Sequence, residues 1–319
     1  MTTPIQAREP ILEPERRIVD PHHHLFPGPT PRVYPPQALA ADLAAGHRIE
    51  ATVFVECGVA YRQDGEAAFA PVGETEYAVA SARGLARDGG PRVAAGIVGT
   101  ADLTLEPAMV GRVLAAQVEA ARGAFRGVRH RVAWTGAPRG LLLDAAFQRG
   151  FAELERAGLS FDAWLYFDQL PELAQVADRF PGTTIIVDHL GAPILRTDEP
   201  AERAEVFEIW RANLREVARR PNVVLKLGGL GMPIFRFGFD TAETPASSAA
   251  LAAAWRPYFE VGLEAFGPER SMLESNYPAD QPSADYATLW NALKRLAMDL
   301  AEDEKRQLFA ETAERVYRL

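Results

Sequence analysis

Short runs rich in apolar and β-branched residues recur at 18–20, 51–56, 92–98, 125–130, 160–166, 184–189, 222–227 and 271–275, and each reads as a strand. Between them, apolar positions fall at helical spacing over 36–45, 74–88, 107–121, 144–157, 170–180, 201–219, 247–266 and 284–300. The strands are too apolar to leave one face wet, which is the pattern of a parallel sheet covered by helices. Eight alternations of this α/β kind close the sheet into a (β/α)8 TIM barrel. A last helical pattern at 302–318 predicts an extra C-terminal helix. The competing arrangement, an open doubly wound sheet, would carry a glycine fingerprint after the first strand, where His23-His24-Leu25 stands instead. No linker or fixed-period repeat divides the chain, so residues 1–319 read as one domain.

Two connections are long: 26–36, rich in proline, and 228–245, which opens Gly228-Gly229-Leu230-Gly231-Met232-Pro233 and continues into an aromatic stretch at 234–239. Both follow strands, and in a barrel the connections after strands line the mouth where chemistry occurs. They therefore read as lids or substrate walls. The aromatic stretch reads equally well as a loop packed on a neighbouring helix or on a partner subunit, which leaves a homo-oligomer open.

Composition narrows the function. With 48% hydrophobic and 24% charged residues the chain can bury a large core. A net charge of -9 and no cluster of Lys and Arg argue against a nucleic-acid partner. The single cysteine, Cys57, excludes an intramolecular disulfide and fits a reducing compartment, so a cytoplasmic protein is expected. Residues 1–17 carry charges and prolines rather than an apolar leader, and no run approaches the ~18 apolar residues of a membrane span.

Against this background the run Asp20-Pro21-His22-His23-His24 stands out, because it holds three of the six histidines. In an extended strand Asp20, His22 and His24 share a face and His23 takes the other, so two imidazoles could chelate one divalent ion. A surface histidine cluster is the plain alternative. Polar residues at the ends of the other strands argue against it: Glu56; Arg129 and His130; Asp162 and Tyr166; Asp188 and His189; Lys226; and Glu274, Ser275 and Asn276. Each alone has a structural explanation. Glu56 could pair with Lys226 or Arg129, Asp188 could cap a helix, and His189 could be a satisfied core histidine.

Together they suit hydrolysis. His22, His24 and His189 are neutral nitrogen donors suited to zinc with an open fourth position. Arg129 and Lys226 supply fixed positive charge for a substrate carboxylate or a developing oxyanion, so a small anionic substrate is expected. Ser275 lacks the glycine-flanked turn of a nucleophile elbow, and Cys57 reads as a small buried hydrophobe.

The motifs Asp20-Pro21-His22-His23-His24, Phe54-Val55-Glu56-Cys57, Phe125-Arg126-Gly127-Val128-Arg129-His130, Val187-Asp188-His189-Leu190-Gly191, Lys226-Leu227-Gly228-Gly229 and Met272-Leu273-Glu274-Ser275-Asn276-Tyr277-Pro278 span nearly the whole chain. In them the chain resembles the amidohydrolase-2 branch of the amidohydrolase superfamily, which contains sugar lactonases and pyrone-dicarboxylate lactonase-like enzymes. The resemblance implies a barrel hydrolase that opens a lactone or related cyclic ester with activated water. It implies His22, His24 and His189 as metal-binding or carbonyl-polarising groups around a divalent ion, zinc by preference, although some lactonase-like members work with little or no metal. Glu56 and Asn276 fall in the implied catalytic group, and Arg129, His130, Tyr166, Lys226 and Asp280 in the substrate-binding group. Two departures matter: Asn276 stands where many members carry a metal-binding aspartate, and strand five offers Asp162 and Tyr166 but no histidine. A binuclear site is therefore not expected, and Glu56, Asp280 and Glu274 become the candidate bases. Two alternatives stand beside lactone hydrolysis: metal-dependent decarboxylation of a small aromatic or unsaturated acid, which occurs in related branches, and, from Asn276, a catalytically inactive barrel that binds a metabolite.

Overall fold

The computed structural model describes residues 9–28, 33–133 and 140–319. The expected strands form as β1 (Arg17–His23), β2 (Arg48–Val55), β3 (Arg92–Gly99), β4 (Phe125–Val128), β5 (Ser160–Ala163), β6 (Ile185–Val187), β7 (Val223–Leu227) and β8 (Ser271–Leu273). They lie side by side in chain order, every neighbouring pair parallel. The ring closes where His23 bridges to Tyr277 and the His24 amide donates to the Tyr277 carbonyl at 2.7 Å. That closure rules out the open sheet.

Helices α1 (Pro36–Leu43), α2 (Val72–Leu85), α3 (Pro107–Ala120), α4 (Ala145–Ala157), α5 (Leu170–Arg179), α6 (Pro200–Val217), α7 (Ser248–Phe266) and α8 (Tyr286–Leu296) form the outer layer. Local chemistry sets several ends. Asp144 caps α4 by accepting from the amides of Ala146 and Phe147, and Gly158 ends that helix in the left-handed conformation. No helix among the described residues is long and apolar enough to cross a membrane.

Both faces of the strands are dry, for different reasons. Ile18, Phe54, Ile97, Phe161, Val187 and Leu225 pack outward in the main core with the helices. Val19, Val53, Val55, Val98, Ile186, Val224 and Met272 form a second core with Ala310, Ala313 and Tyr317 of the C-terminal segment. That segment runs through α9 (Glu302–Arg306), a π-helical turn (Gln307–Glu311) and α10 (Thr312–Tyr317). It inserts side chains among the early residues of the strands, and so plugs the end of the barrel opposite the mouth.

Two sequence expectations change. β4, β5 and β6 stop two or three residues before the apolar runs end, so Arg129, His130, Tyr166 and His189 stand on the connections rather than in strands. After β6 and β8 the backbone leaves the extended region: His189, Leu190 and Asn276 have φ of 50, 58 and 51°. The second change concerns the long loops. Residues 29–32 of the proline-rich connection lie outside the described residues, as do 1–8 of the N-terminal stretch; the described flanks of the loop pair through Phe26 and Tyr34. The aromatic loop packs on neighbouring helices: Phe235 is buried, and Phe237 lies 5.8 Å from Tyr258 of α7 with the Arg203 guanidinium of α6 5.1 Å above it.

Candidate active site

At the mouth the strand ends bring His22, His24, Glu56, Arg129, Asp188, His189, Lys226 and Glu274 into one buried group, each 5% exposed or less. The strand alternation expected for Asp20, His22 and His24 does not hold, because the pairing of β1 with β2 slips between Asp20 and His23. Asp20 consequently turns toward the helix layer, where it accepts from Ser275 Oγ at 2.6 Å and Tyr286 Oη at 3.0 Å. It ties β1 to the segment after β8 and takes no place in the group; burial pushes its carboxyl up to about 6. His23 faces away as expected, with Nε2 2.9 Å from Thr52 Oγ1.

Two of the three remaining imidazoles, those of His24 and His189, are held at Nδ1 by an acceptor. His24 Nδ1 lies 2.8 Å from the Val55 carbonyl oxygen, His189 Nδ1 2.7 Å from Glu274 Oε1, and His22 Nδ1 3.0 Å from Glu274 Oε2. Nδ1 held by an outer partner is the arrangement that presents Nε2 to a metal or substrate. Glu274 Oε1 therefore orients the His189 ring, while Oε2 lies within ion-pair distance of His22 Nδ1 without a hydrogen bond. Burial alone would raise its carboxyl, but His189 and His22 hold it down at about 2.

Donor atoms of His22, Asp188 and His189 come within 4.8 Å of one another, close enough to share one ion. His24 stands beside this trio, its ring centroid 4.9 Å from that of His22. Imidazole nitrogen with one carboxylate suits zinc. The donors fit such an ion, with one adjustment: Arg129 Nη1 lies 3.4 Å from both His22 Nε2 and Asp188 Oδ2, a position that an ion shared by those groups would take over.

Lys226 is fully buried, and its charge is satisfied inside the protein. Its Nζ lies 2.7 Å from Asp162 Oδ2, 2.9 Å from Asp188 Oδ1 and 3.0 Å from His22 Nδ1. The expected role as a contact for a substrate anion gives way to one of fixing these three groups. Burial works against its charge, but Asp162 and Asp188 outweigh it and keep the ammonium protonated. The same ammonium keeps Asp188 ionised, well below the usual carboxylate range despite its burial. Burial, followed by the Lys226 charge, lowers the His22 pKa and favours the neutral ligand form.

Of the structural alternatives for Glu56, the pairing with Arg129 is the one realised: Oε1 accepts from Arg129 Nε at 2.8 Å, and both oxygens accept from Arg131, each at 2.9 Å. Glu56 is thereby occupied as the partner of two guanidinium groups. His130 Nδ1 accepts from the Leu103 amide at 3.2 Å, and its ring meets Phe147 edge-on. It lines a cleft of about 450 Å³ with Glu56, Tyr61, Asp102 and Arg131. Tyr166 stays outside the group. Trp164, two residues earlier, instead sets its ring 5.0 Å from that of His189.

The glycine turn after β7 explains the placement of the remaining groups. A Cβ on Gly229, whose φ is +75°, would stand 2.4 Å from His189 Nδ1, and one on Gly231 would stand 2.8 Å from Asp280. The bare backbone lets both side chains close on the turn. Asp280 accepts from the Gly231 amide and from Asn276 Nδ2, each at 2.7 Å, and burial pushes its carboxyl up to about 7. Asn276 Oδ1 is buried and has no partner among the described residues. Cys57 and Ser275 take no part: burial pushes the thiol well up, and Ser275 Oγ donates to Asp20.

Sequence reasoning missed Trp164, Arg131 and Tyr317 as neighbours of the site. Arg131 carried a signal, since it follows Arg129 and His130 on the same connection. Trp164 and Tyr317 carried none that distinguishes them from core aromatics.

Comparison with known proteins agrees with this architecture. The chain is 34% identical over 257 residues to an uncharacterised protein of Sinorhizobium fredii, covering 78% of this chain and 76% of that one. It is 32% identical to an L-fucono-1,5-lactonase of Burkholderia multivorans, over 65% of this chain and 67% of that one. A Burkholderia multivorans amidohydrolase solved with zinc bound superposes with a TM-score of 0.73 at 27% identity, covering 95% of this chain and 99% of that one. The amidohydrolase family model matches residues 19–319, from inside β1 to the C-terminal residue, and the chain belongs to that family of barrel hydrolases.

Proposed function

We propose that the protein opens a lactone of a small sugar acid or carboxylated metabolite by water attack, with residues 1–319 acting as one domain. The observation that carries this reading is the set of three imidazoles, two of them held at Nδ1 by an acceptor, gathered with Asp188 at the mouth of the barrel. Its resemblance to a curated sugar lactonase supports the substrate class.

His22, Asp188 and His189, with His24 beside them, would hold one divalent ion, zinc by donor type. Such an ion, when bound, polarises a carbonyl and makes water acidic. The chain's own groups do the rest. Arg129 lies against the same atoms and donates to the oxygen that gains charge as the acyl carbon becomes tetrahedral. Asn276 offers its open Oδ1 to a donor, either the water or a substrate hydroxyl. Asp280, with its carboxyl at about 7, takes the proton from the water and returns it to the leaving oxygen. Glu56 is tied to two arginines and Glu274 is held near 2, which leaves Asp280 as the base among the carboxylates the sequence nominated. Arg131 and His130 line the cleft in which a small anionic substrate would sit. We place the enzyme in the cytoplasm, where a lone cysteine stays reduced.

The test is a panel of sugar-acid lactones followed by acid release, with metal analysis of the same samples. Opening of at least one lactone, lost in His22→Asn and His189→Asn with the fold intact, is expected. Release of carbon dioxide from an aromatic acid without opening of any lactone would replace this reading with a decarboxylase.

A further inference from the structure

The C-terminal plug does more than fill the barrel. Tyr317, fully buried on α10, sends its hydroxyl into the barrel interior and donates to Asp162 Oδ2 at 2.6 Å. Asp162 Oδ2 accepts at the same time from Lys226 Nζ at 2.7 Å, while Oδ1 has no hydrogen-bond partner among the described residues. The Tyr317 ring lies 5.5 Å from that same Nζ. Lys226 in turn meets Asp188 Oδ1 at 2.9 Å and His22 Nδ1 at 3.0 Å. An unbroken chain of short polar contacts therefore runs from the plugged end of the barrel to the donors at its mouth.

We propose that Tyr317 is a positioning residue for the hydrolytic site, acting through Asp162 and Lys226 on His22 and Asp188. The inference rests on the reading of these groups as the site of hydrolysis. The physical reason is the scarcity of alternatives: Asp162 and Lys226 are both fully buried, so either of them, deprived of a partner, has only other protein groups to turn to. Without the phenol, Asp162 keeps Lys226 as its single donor and draws the ammonium toward itself. The ammonium then leaves His22 Nδ1 and Asp188 Oδ1, and both turn away from the arrangement that fits an ion or a carbonyl. A tyrosine that merely filled the barrel would be replaced by phenylalanine without consequence for the mouth.

Tyr317→Phe keeps the ring and removes the hydroxyl. Two quantities are read: kcat and KM on a lactone that the wild type opens, and the histidine ring-nitrogen resonances. A fall of about tenfold in kcat is expected, equivalent to one charge-assisted hydrogen bond, with KM nearly unchanged. The His22 ring signals are expected to move, while those of His47 and His130, which lie outside the chain of contacts, stay in place. Leu308→Ala serves as the structural control. It removes a buried side chain from the π-helical turn without touching Asp162, so it lowers Tm while leaving kcat per folded molecule and the His22 signals unchanged. Wild-type kcat in Tyr317→Phe, unmoved His22 signals, or a kcat loss reproduced by Leu308→Ala would each overturn the inference. If the His22 signals move but the wild type opens no lactone, the positioning role stands and the hydrolase reading fails.

Discussion

Replacing Lys226 with methionine isolates what its buried charge does. Methionine has nearly the volume of the lysine stem, so packing is kept while the ammonium no longer bridges Asp162 at 2.7 Å, Asp188 at 2.9 Å and His22 at 3.0 Å. Two carboxylates then share a dry interior with no cation between them; Arg129 reaches Asp188 Oδ2 at the longer distance of 3.4 Å. Removing one partner of a buried ion pair costs about 3–5 kcal/mol. The cost should depend on pH, and its sign follows from protonation. Burial already holds the Asp162 carboxyl above its ordinary value; without Lys226 it rises further and Asp188 rises above its unfolded value too, so the folded variant binds more protons than the unfolded chain. The deficit is then smallest below the unfolded carboxylate pKa, about 4, and grows as pH rises through the raised folded values. Urea unfolding at pH 5 and pH 8, followed by circular dichroism, measures both. We expect the larger loss at pH 8 and partial recovery in the double variant Lys226→Met/Asp162→Asn, which removes one of the stranded charges. A loss below about 1 kcal/mol, the range of an exposed pair, or an equal loss at both pH values would refute the reasoning.

Other expectations follow from the same geometry. If Asp280 is the base, kcat/KM rises with pH through about 7, as its carboxyl ionises, and Asp280→Asn abolishes the rise along with most of the rate; an unchanged profile in that variant assigns the proton transfer elsewhere. Gly229→Ala forces a methyl to within 2.4 Å of His189 Nδ1 at a φ of +75°, and calorimetry should register a stability loss of about 1–3 kcal/mol together with impaired turnover. Arg131→Ala should raise KM about tenfold for a carboxylated lactone but not for a neutral one, with a modest loss of stability because buried Glu56 keeps Arg129 but loses two donors. Cys57→Ser should leave turnover unaltered, since the thiol, held protonated by burial, takes no part.

The strand and helix alternation was legible because each strand buries both faces and each helix one, leaving periodicities of different length in the sequence. Closure of the barrel followed from the count of units. The histidines and carboxylates at the mouth were legible too, because an ionisable residue at the end of an apolar run is conspicuous. The sequence could not say which way Asp20 points, since that depends on a slip in the pairing of β1 and β2, and register is decided by the neighbouring strand. Nor could it distinguish a lysine that greets a substrate from one enclosed by Asp162, Asp188 and His22, because those partners are 64, 38 and 204 positions away along the chain. The role of Tyr317 was hidden for the same reason: at the end of an amphipathic helix it looks like any core aromatic, and only the closed barrel carries its hydroxyl to Asp162. Local pattern determined which elements form and which ends carry chemistry, because period and propensity are properties of neighbours in sequence. Pairing, proton affinity and the choice of base belong to the tertiary structure, because electrostatic energy in a dry interior depends on distances between groups that only folding brings together.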